Sequence, residues 1–337
     1  MTELPLSARV PRPTSVELPA DAEGIVWRAA TMDDVAGIQA CEAQIAEVDH
    51  PNYTTTVEEL EEDFDHSYVD LPSDTVVALD GDEVVAWGLV LMPPGQETLV
   101  RVILIGGVGP SHRGRGLGRR LMSWLEARGM QRLADSDKTL PGWLMAYAEE
   151  RAESANRLIT RFGFTPARYF LELRRSLDEP IAEVPLDLAI VPFDRSLSER
   201  VRVARNDAFR DHWGSQPTNE EQWDSFVGRS TFRPELCAIA MAGDEVVGFV
   251  IVTVTEEDWP GQGFSSAYIE LVGVTRAWRG RGIAPAVLAR SLQLMADAGL
   301  EKAVLDVDSD SPTGALGLYT GLGFVESNRS INYNRVF

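Results

Sequence analysis

The chain has 337 residues, 44% hydrophobic and 25% charged, and carries a formal net charge of -21. That length suits about two domains of roughly 150 residues, and the composition is that of an ordinary soluble globular protein. So anionic a molecule is a poor partner for DNA or RNA, which bind mainly through neutralised phosphates. Its field would instead draw in a cationic small molecule, or serve only to keep the protein dissolved.

Residues 1–24 hold three prolines before Val16 and no apolar segment of the kind a secretion signal needs. They read as a loose extension. No apolar run approaches the roughly 18 residues of a membrane helix, so neither a membrane nor a nucleic acid is an expected partner. Two cysteines, Cys41 and Cys237, fit a reducing cytoplasm. Four scattered histidines show no metal-ligand spacing, and no metal is expected.

The chain then repeats itself. "GDEVV" stands at Gly81–Val85 and again at Gly243–Val247. Asp49-His50 returns as Asp211-His212, Phe64 as Phe226, the "RGRG" at Arg113 as that at Arg279, and "RFGF" at Arg161 as "GLGF" at Gly321. Five anchors in order mark two copies of one domain, at 25–175 and 187–337. The linker 176–186, "SLDEPIAEVPL", holds two prolines.

Within each copy the elements run in one order. "VVALDGDEVVAWGLVLM" and "LCAIAMAGDEVVGFVIVTV" are β-hairpins turning at Gly-Asp or Asp-Gly. The next strand is "VRVILIGGV" in copy one and "AYIELVGV" in copy two. After it come an Arg-Gly loop and a helix, in copy two with Ile283, Val287, Leu288, Leu292 and Met295 near helical spacing. "KAVLDVD" is a buried strand, "TGALGLYTGLGF" a short helix stopped by glycine, and a last strand closes the copy. Two helical stretches precede the hairpin, one of them "EEQWDSFVGR". The expected fold class is α/β, two tandem domains each with a mixed sheet flanked by helices.

The loop carries the chemistry. A helix's first turn leaves backbone N–H groups unpartnered and favours negative charge, and glycines let a backbone approach an anion closely. The spacing is Arg113, Gly116, Gly118 in copy one and Arg279, Gly282, Ala284 in copy two, with Pro285 where its missing N–H does little harm. Arg279 and Arg281 add charge for phosphate oxygens. No Gly-Lys-Ser/Thr of a Walker loop is present, and the distance from Val274 to Arg279 departs from the dinucleotide fingerprint.

On "RGRGIA", the preceding "YIELVGV" and the later "ALGLYTGLGF", the chain resembles the GCN5-related N-acetyltransferases over nearly its whole length, twice. The resemblance implies that this loop holds the pyrophosphate of acetyl-coenzyme A, a co-substrate, and that the pantetheine arm lies between two splayed parallel strands. The implied coenzyme residues are Val272, Gly273, Val274, Arg279, Gly280, Arg281, Gly282, Ile283 and Ala284, and in copy one Val108, Arg113, Gly114, Arg115, Gly116, Leu117 and Gly118.

Acetyl transfer must remove a proton from an amine with a pKa near 10, polarise a carbonyl and protonate a departing thiolate. By the resemblance Glu270 takes the amine proton, Tyr319 protonates the thiolate and the backbone near Val274 polarises the carbonyl. Copy one has Leu104 and Ile159 at the two side-chain positions, so copy two is expected to be the enzyme and copy one a structural or coenzyme-binding relic. The asparagine that the family often places before the tyrosine helix is replaced by Ser311 and Pro312, and Asn156 of copy one is out of register with it.

In the segment "FRDHWGSQPTNEEQW", Asp211 either meets a substrate ammonium or caps a turn. His212 is a candidate partner for a hydroxyl, and Trp213 either forms an acceptor wall or packs in the core. The recurrence of Asp-His in copy one favours a structural role for that pair. The expected acceptor is a small primary amine. A cysteinyl aminosugar is the alternative within the family, with aminoglycoside, polyamine and protein N-terminus also open. A non-catalytic acyl-coenzyme A sensor is the alternative of another class.

Overall fold

A computed structural model describes residues 4–311 and 314–337. It divides into two compact units, Met1–Arg168 with Ser330–Phe337, and Tyr169–Arg329.

The first unit contains α1 (Leu6–Arg9), β1 (Ile25–Arg28), α2 (Val35–Asp49), α3 (Val57–Asp65), α4 (Leu71–Asp74), β2 (Thr75–Asp80), β3 (Glu83–Leu91), β4 (Val100–Val108), α5 (Leu117–Ala134), β5 (Gly142–Glu149) and α6 (Glu153–Arg161). β1 to β4 are successively antiparallel, and β4 pairs in parallel with β5. Successive residues of a strand face opposite sides. Trp87 accordingly sends its indole N–H to Glu42 of α2, while the hydrogen side of Gly88 lies against Leu121 and Leu125 of α5. One helix layer therefore covers each face, and the core divides into two apolar clusters.

β6 (Thr165–Ser176) leads into the second unit, followed by β7 (Ala189–Val191), α7 (Ser198–Ala208), α8 (Glu220–Gly228), β8 (Ala238–Ala242), β9 (Glu245–Thr253), α9 (Trp259–Gln262), β10 (Ser266–Val274), α10 (Ile283–Asp297), β11 (Lys302–Asp308), α11 (Ala315–Gly321) and β12 (Val325–Val336). The order repeats: β7 to β10 are antiparallel neighbours and β10 pairs in parallel with β11. Phe249 packs toward Phe209 just past α7, and a Cβ at its neighbour Gly248 would strike Ile283 of α10. The central β9 is buried from Val246 to Thr253, as a strand covered on both faces must be.

Two features depart from the sequence reading. The closing strand of each copy is laddered in the other unit: Phe170–Ser176 of β6 pairs with β11, and Ser330–Val336 of β12 with β5. Leu6–Arg9 of the opening segment are also docked rather than loose. Leu6 is fully buried, and the amides of Leu6 and Ser7 donate to the carbonyls of Lys138 and Ser136. The Arg9 guanidinium donates to the carbonyl of Phe337 at 3.1 Å.

Leu6→Ala is therefore expected to lower unfolding free energy by about 2–5 kcal/mol, the usual range for truncating a fully buried leucine. Urea unfolding followed by Trp fluorescence checks this; an unchanged midpoint would mean an undocked segment.

Candidate active site

Pairing between β10 and β11 ends early. Ser266–Tyr268 runs in parallel register with Lys302–Val304, and no later residue of β10 is laddered to β11. On its other edge β10 continues along β9 to Val274, with a register shift between Ile269 and Leu271. Glu270 is the extra residue of that bulge, a device that redirects a side chain. Between the diverging strands opens a cavity of about 720 Å³.

Its walls hold Tyr319 and Glu270, the β10 residues Val272, Gly273 and Val274, the loop residues Arg279, Gly280, Gly282, Ile283 and Ala284, and both Asp211 and His212. Gly273 has a packing reason of its own: a Cβ there would lie 2.3 Å from the Phe249 ring. Trp213 and Arg281 lie outside the lining. Arg281 stacks over the Trp278 ring at 4.5 Å.

The loop has the form an anion needs. Gly280 and Gly282 both take φ +75°, where L side chains are strained, and nothing lies within 4 Å of a Cβ built on either. No side chain caps α10 at Gly282, so its first amides remain for a ligand. Copy one repeats the geometry, with φ +81° and +85° at Gly114 and Gly116 and α5 likewise without a side-chain cap.

The arginine of each loop is held by an aspartate of its own copy. Arg279 donates to Asp211 at 3.1 Å and to the Ala208 carbonyl at 2.7 Å, with Arg276 3.2 Å from the same carboxylate. Arg113 forms a two-pronged pair with Asp49 at 3.0 and 2.7 Å and donates to the Val108 carbonyl. The repeated aspartate thus sets the loop arginine, which is why it recurs. As an ammonium ligand Asp211 is already committed to two guanidiniums. His50 stacks on Tyr53, whereas His212 lines the cavity, and burial lowers its pKa, keeping it neutral.

The two copies differ where chemistry would occur. β4 pairs with β3 without a register shift, so Leu104 stays in the core, as does Ile159. Val108 and Leu117 are buried, and Gly118 lies close to Leu158. Arg115 lies 3.9 Å from both Glu23 and Asp80. Asn156 ties α6 down, donating to the carbonyls of Glu149 and Glu150. In copy two Ser311 lines the cavity, while Pro312 lies outside the described residues.

Glu270 accepts a hydrogen bond from the Thr253 hydroxyl at 3.0 Å. Tyr319 is 8% exposed and packs edge-on against Phe324. Its hydroxyl has no protein hydrogen-bond partner among the described residues, and burial pushes its pKa up to about 12. The phenol is therefore fully protonated at neutral pH and able to donate.

Among the wall residues without a role in the sequence reading are Phe170, Tyr268 and Asp306. In "KAVLDVD" Asp306 and Asp308 fall on the same face of β11, opposite Leu305 and Val307. Burial, and then the nearby Glu172 carboxylate, push Asp306 up to about 6 against the lowering effect of its Tyr268 hydrogen bond. Solvent nevertheless reaches it through the cavity.

The acetyltransferase (GNAT) family model matches residues 42–164 and again 199–324, and the chain belongs to that family. Mycothiol acetyltransferase of Kocuria rhizophila is 29% identical over 269 residues, 77% of this chain and 83% of that one. That of Streptomyces scabiei is 30% identical over 232 residues, 67% and 69% of the two chains. The crystal structure of a GCN5-related N-acetyltransferase from Sphaerobacter thermophilus matches with TM-score 0.67 at 26% identity, covering 94% of this chain and 97% of its own. A tandem GNAT protein from the clavulanic acid biosynthesis pathway shares the fold, with TM-score 0.65 at 17% identity over 93% and 98%. The chain is an N-acetyltransferase with acetyl-coenzyme A as co-substrate. The described residues contain no helix long and apolar enough to cross a membrane.

A raised carboxyl pKa means that the folded state binds a proton more readily than the unfolded chain. The destabilisation by Asp306 is thus absent below about pH 4, grows toward pH 6 and is complete above it. Asp306→Asn should raise Tm slightly at pH 7.5, solvent screening of the exposed carboxylate keeping the shift small, and change it little at pH 4. Equal shifts at both values would contradict the assignment.

Proposed function

We propose that the C-terminal copy carries catalysis, acetylating a primary amine of a small molecule by direct attack in a ternary complex. The observation that carries this is the unpartnered, protonated Tyr319 hydroxyl on the same cavity as Glu270 and the Arg279–Ala284 bend. The amides of Gly280 to Ala284 and the Arg279 guanidinium hold the diphosphate. The open edge of β10 between Glu270 and Val274 receives the pantetheine arm. When bound, the coenzyme supplies an activated acetyl group.

The residues then divide the proton work. Glu270, fixed by Thr253, takes the proton of the incoming amine, directly or through water. A β10 amide near Val274 donates to the acetyl oxygen as charge gathers there. Tyr319 gives its proton to the departing thiolate. Asp211 acts indirectly by holding Arg279, and His212, neutral, offers a hydrogen bond to the acceptor. Trp213 stands outside the cavity and is left without a role in acceptor binding.

Copy one keeps the bend but has Leu104 and Ile159 in place of the acid–base pair, which supports a structural or coenzyme-binding role. The mycothiol acetyltransferase relatives support a cysteinyl aminosugar as a second acceptor candidate. The two buried thiols suit a cytoplasmic setting.

Tyr319→Phe should lower kcat by about 10²-fold or more, the usual worth of a positioned proton donor, while the coenzyme Kd changes less than about twofold. Thiol release and calorimetry measure the two. Unchanged turnover removes Tyr319 from the mechanism; turnover lost together with coenzyme affinity makes it a packing residue.

A further inference from the structure

Tyr268 and Asp306 line the cavity but have no part in the proton transfers above. The Tyr268 hydroxyl donates to Oδ2 of Asp306 at 2.7 Å. That is the carboxylate's one hydrogen bond among the described residues, and none of their basic side chains pairs with it.

Three carboxylates stand near it. Glu172 stands directly opposite on the antiparallel ladder of β6 and β11, a like-charge placement that is unfavourable in itself. Glu270 approaches from β10, and Asp308 follows two residues along β11. The nearby cations are engaged elsewhere. Arg174 pairs with Glu172 at 2.7 Å, and Arg174 and Lys302 lie over the Phe264 ring at 5.1 and 4.0 Å. Glu172 also accepts from Ser327 at 2.6 Å. Glu172 is thus compensated within the protein, whereas Asp306 is not.

We propose that Asp306, oriented by Tyr268, anchors a second cationic centre of the acceptor, which is therefore a small molecule bearing at least two amino groups. This deepens the proposed function and rests on its assignment of the cavity. Glu270 and Asp306 each stand two residues past the last parallel pair, Tyr268 with Val304, and line the same cavity, on strands that have begun to separate beyond their usual spacing of about 4.8 Å. One amine is delivered to Glu270 and the other is kept as an ammonium at Asp306. The retained charge also lowers the proton affinity of the reacting amine, easing the step that Glu270 performs.

Calorimetric titration of 1,4-diaminobutane and 1-aminobutane into enzyme saturated with coenzyme A tests this without turnover. The diamine should bind at least about tenfold tighter, a difference of about 1.4 kcal/mol. Asp306→Asn should remove that advantage while leaving coenzyme affinity within about twofold, and Tyr268→Phe should reduce it. In the unaltered enzyme the advantage should fade below pH 6 as Asp306, faced by Tyr268, Glu172, Glu270 and Asp308, takes up a proton, so the proposal stays testable if a variant misfolds. Equal affinity for the two amines, no binding of either, or a pH-independent advantage overturns it. Diamine preference without acetyl transfer would overturn the catalytic reading alone; transfer to amines without the preference would overturn the anchor alone.

Discussion

The strands β10 and β11 part after Tyr268 and Val304, and the rest of the site depends on that parting. Neighbouring strands normally satisfy each other's backbone groups. Once they separate, the edge of β10 is left for an extended ligand and a volume opens between them. The bulge at Glu270 turns a carboxylate into that volume at the place where ladder bonds are missing. The bend at Gly280–Gly282 then lies just beyond the end of β10, the strand that carries Glu270.

The two copies show which parts of this design separate from one another. The bend is preserved in both, down to positive φ at two glycines and an aspartate holding its arginine. The bulge is found only in copy two. Without it Leu104 remains in register and faces the core. The bend is set by local backbone geometry and one aspartate–arginine pair, whereas a carboxylate facing the cavity depends on the strand being irregular at one residue.

Much of this was legible in the residues. The repeat, the hairpins at Asp80-Gly81-Asp82 and Gly243-Asp244, and the glycine bend each have a local signal of turn chemistry or periodicity. The rest lacked one. A bulge adds a residue without changing composition, so nothing in "YIELVGV" announces it. Asp306 lies in a strand whose valines and leucine dominate the pattern, and the residue facing it across the ladder, Glu172, is distant in the sequence. The recurrence of Asp49 and Asp211 pointed to structure, but their arginine partners lie 64 and 68 residues away in the chain. Leu6 anchors its segment by one buried side chain among prolines. The exchange of β6 and β12 is invisible because the copies are alike, and either closing strand offers a similar edge.

A crystal structure with coenzyme A bound tests the central claim most directly. The diphosphate is expected on the amides of Gly280 to Ala284, beside Arg279, with the thiol end of the pantetheine arm near Tyr319. Coenzyme held only at Arg113–Gly118, or lying across the C-terminal copy without touching the Arg279–Ala284 bend, would contradict it.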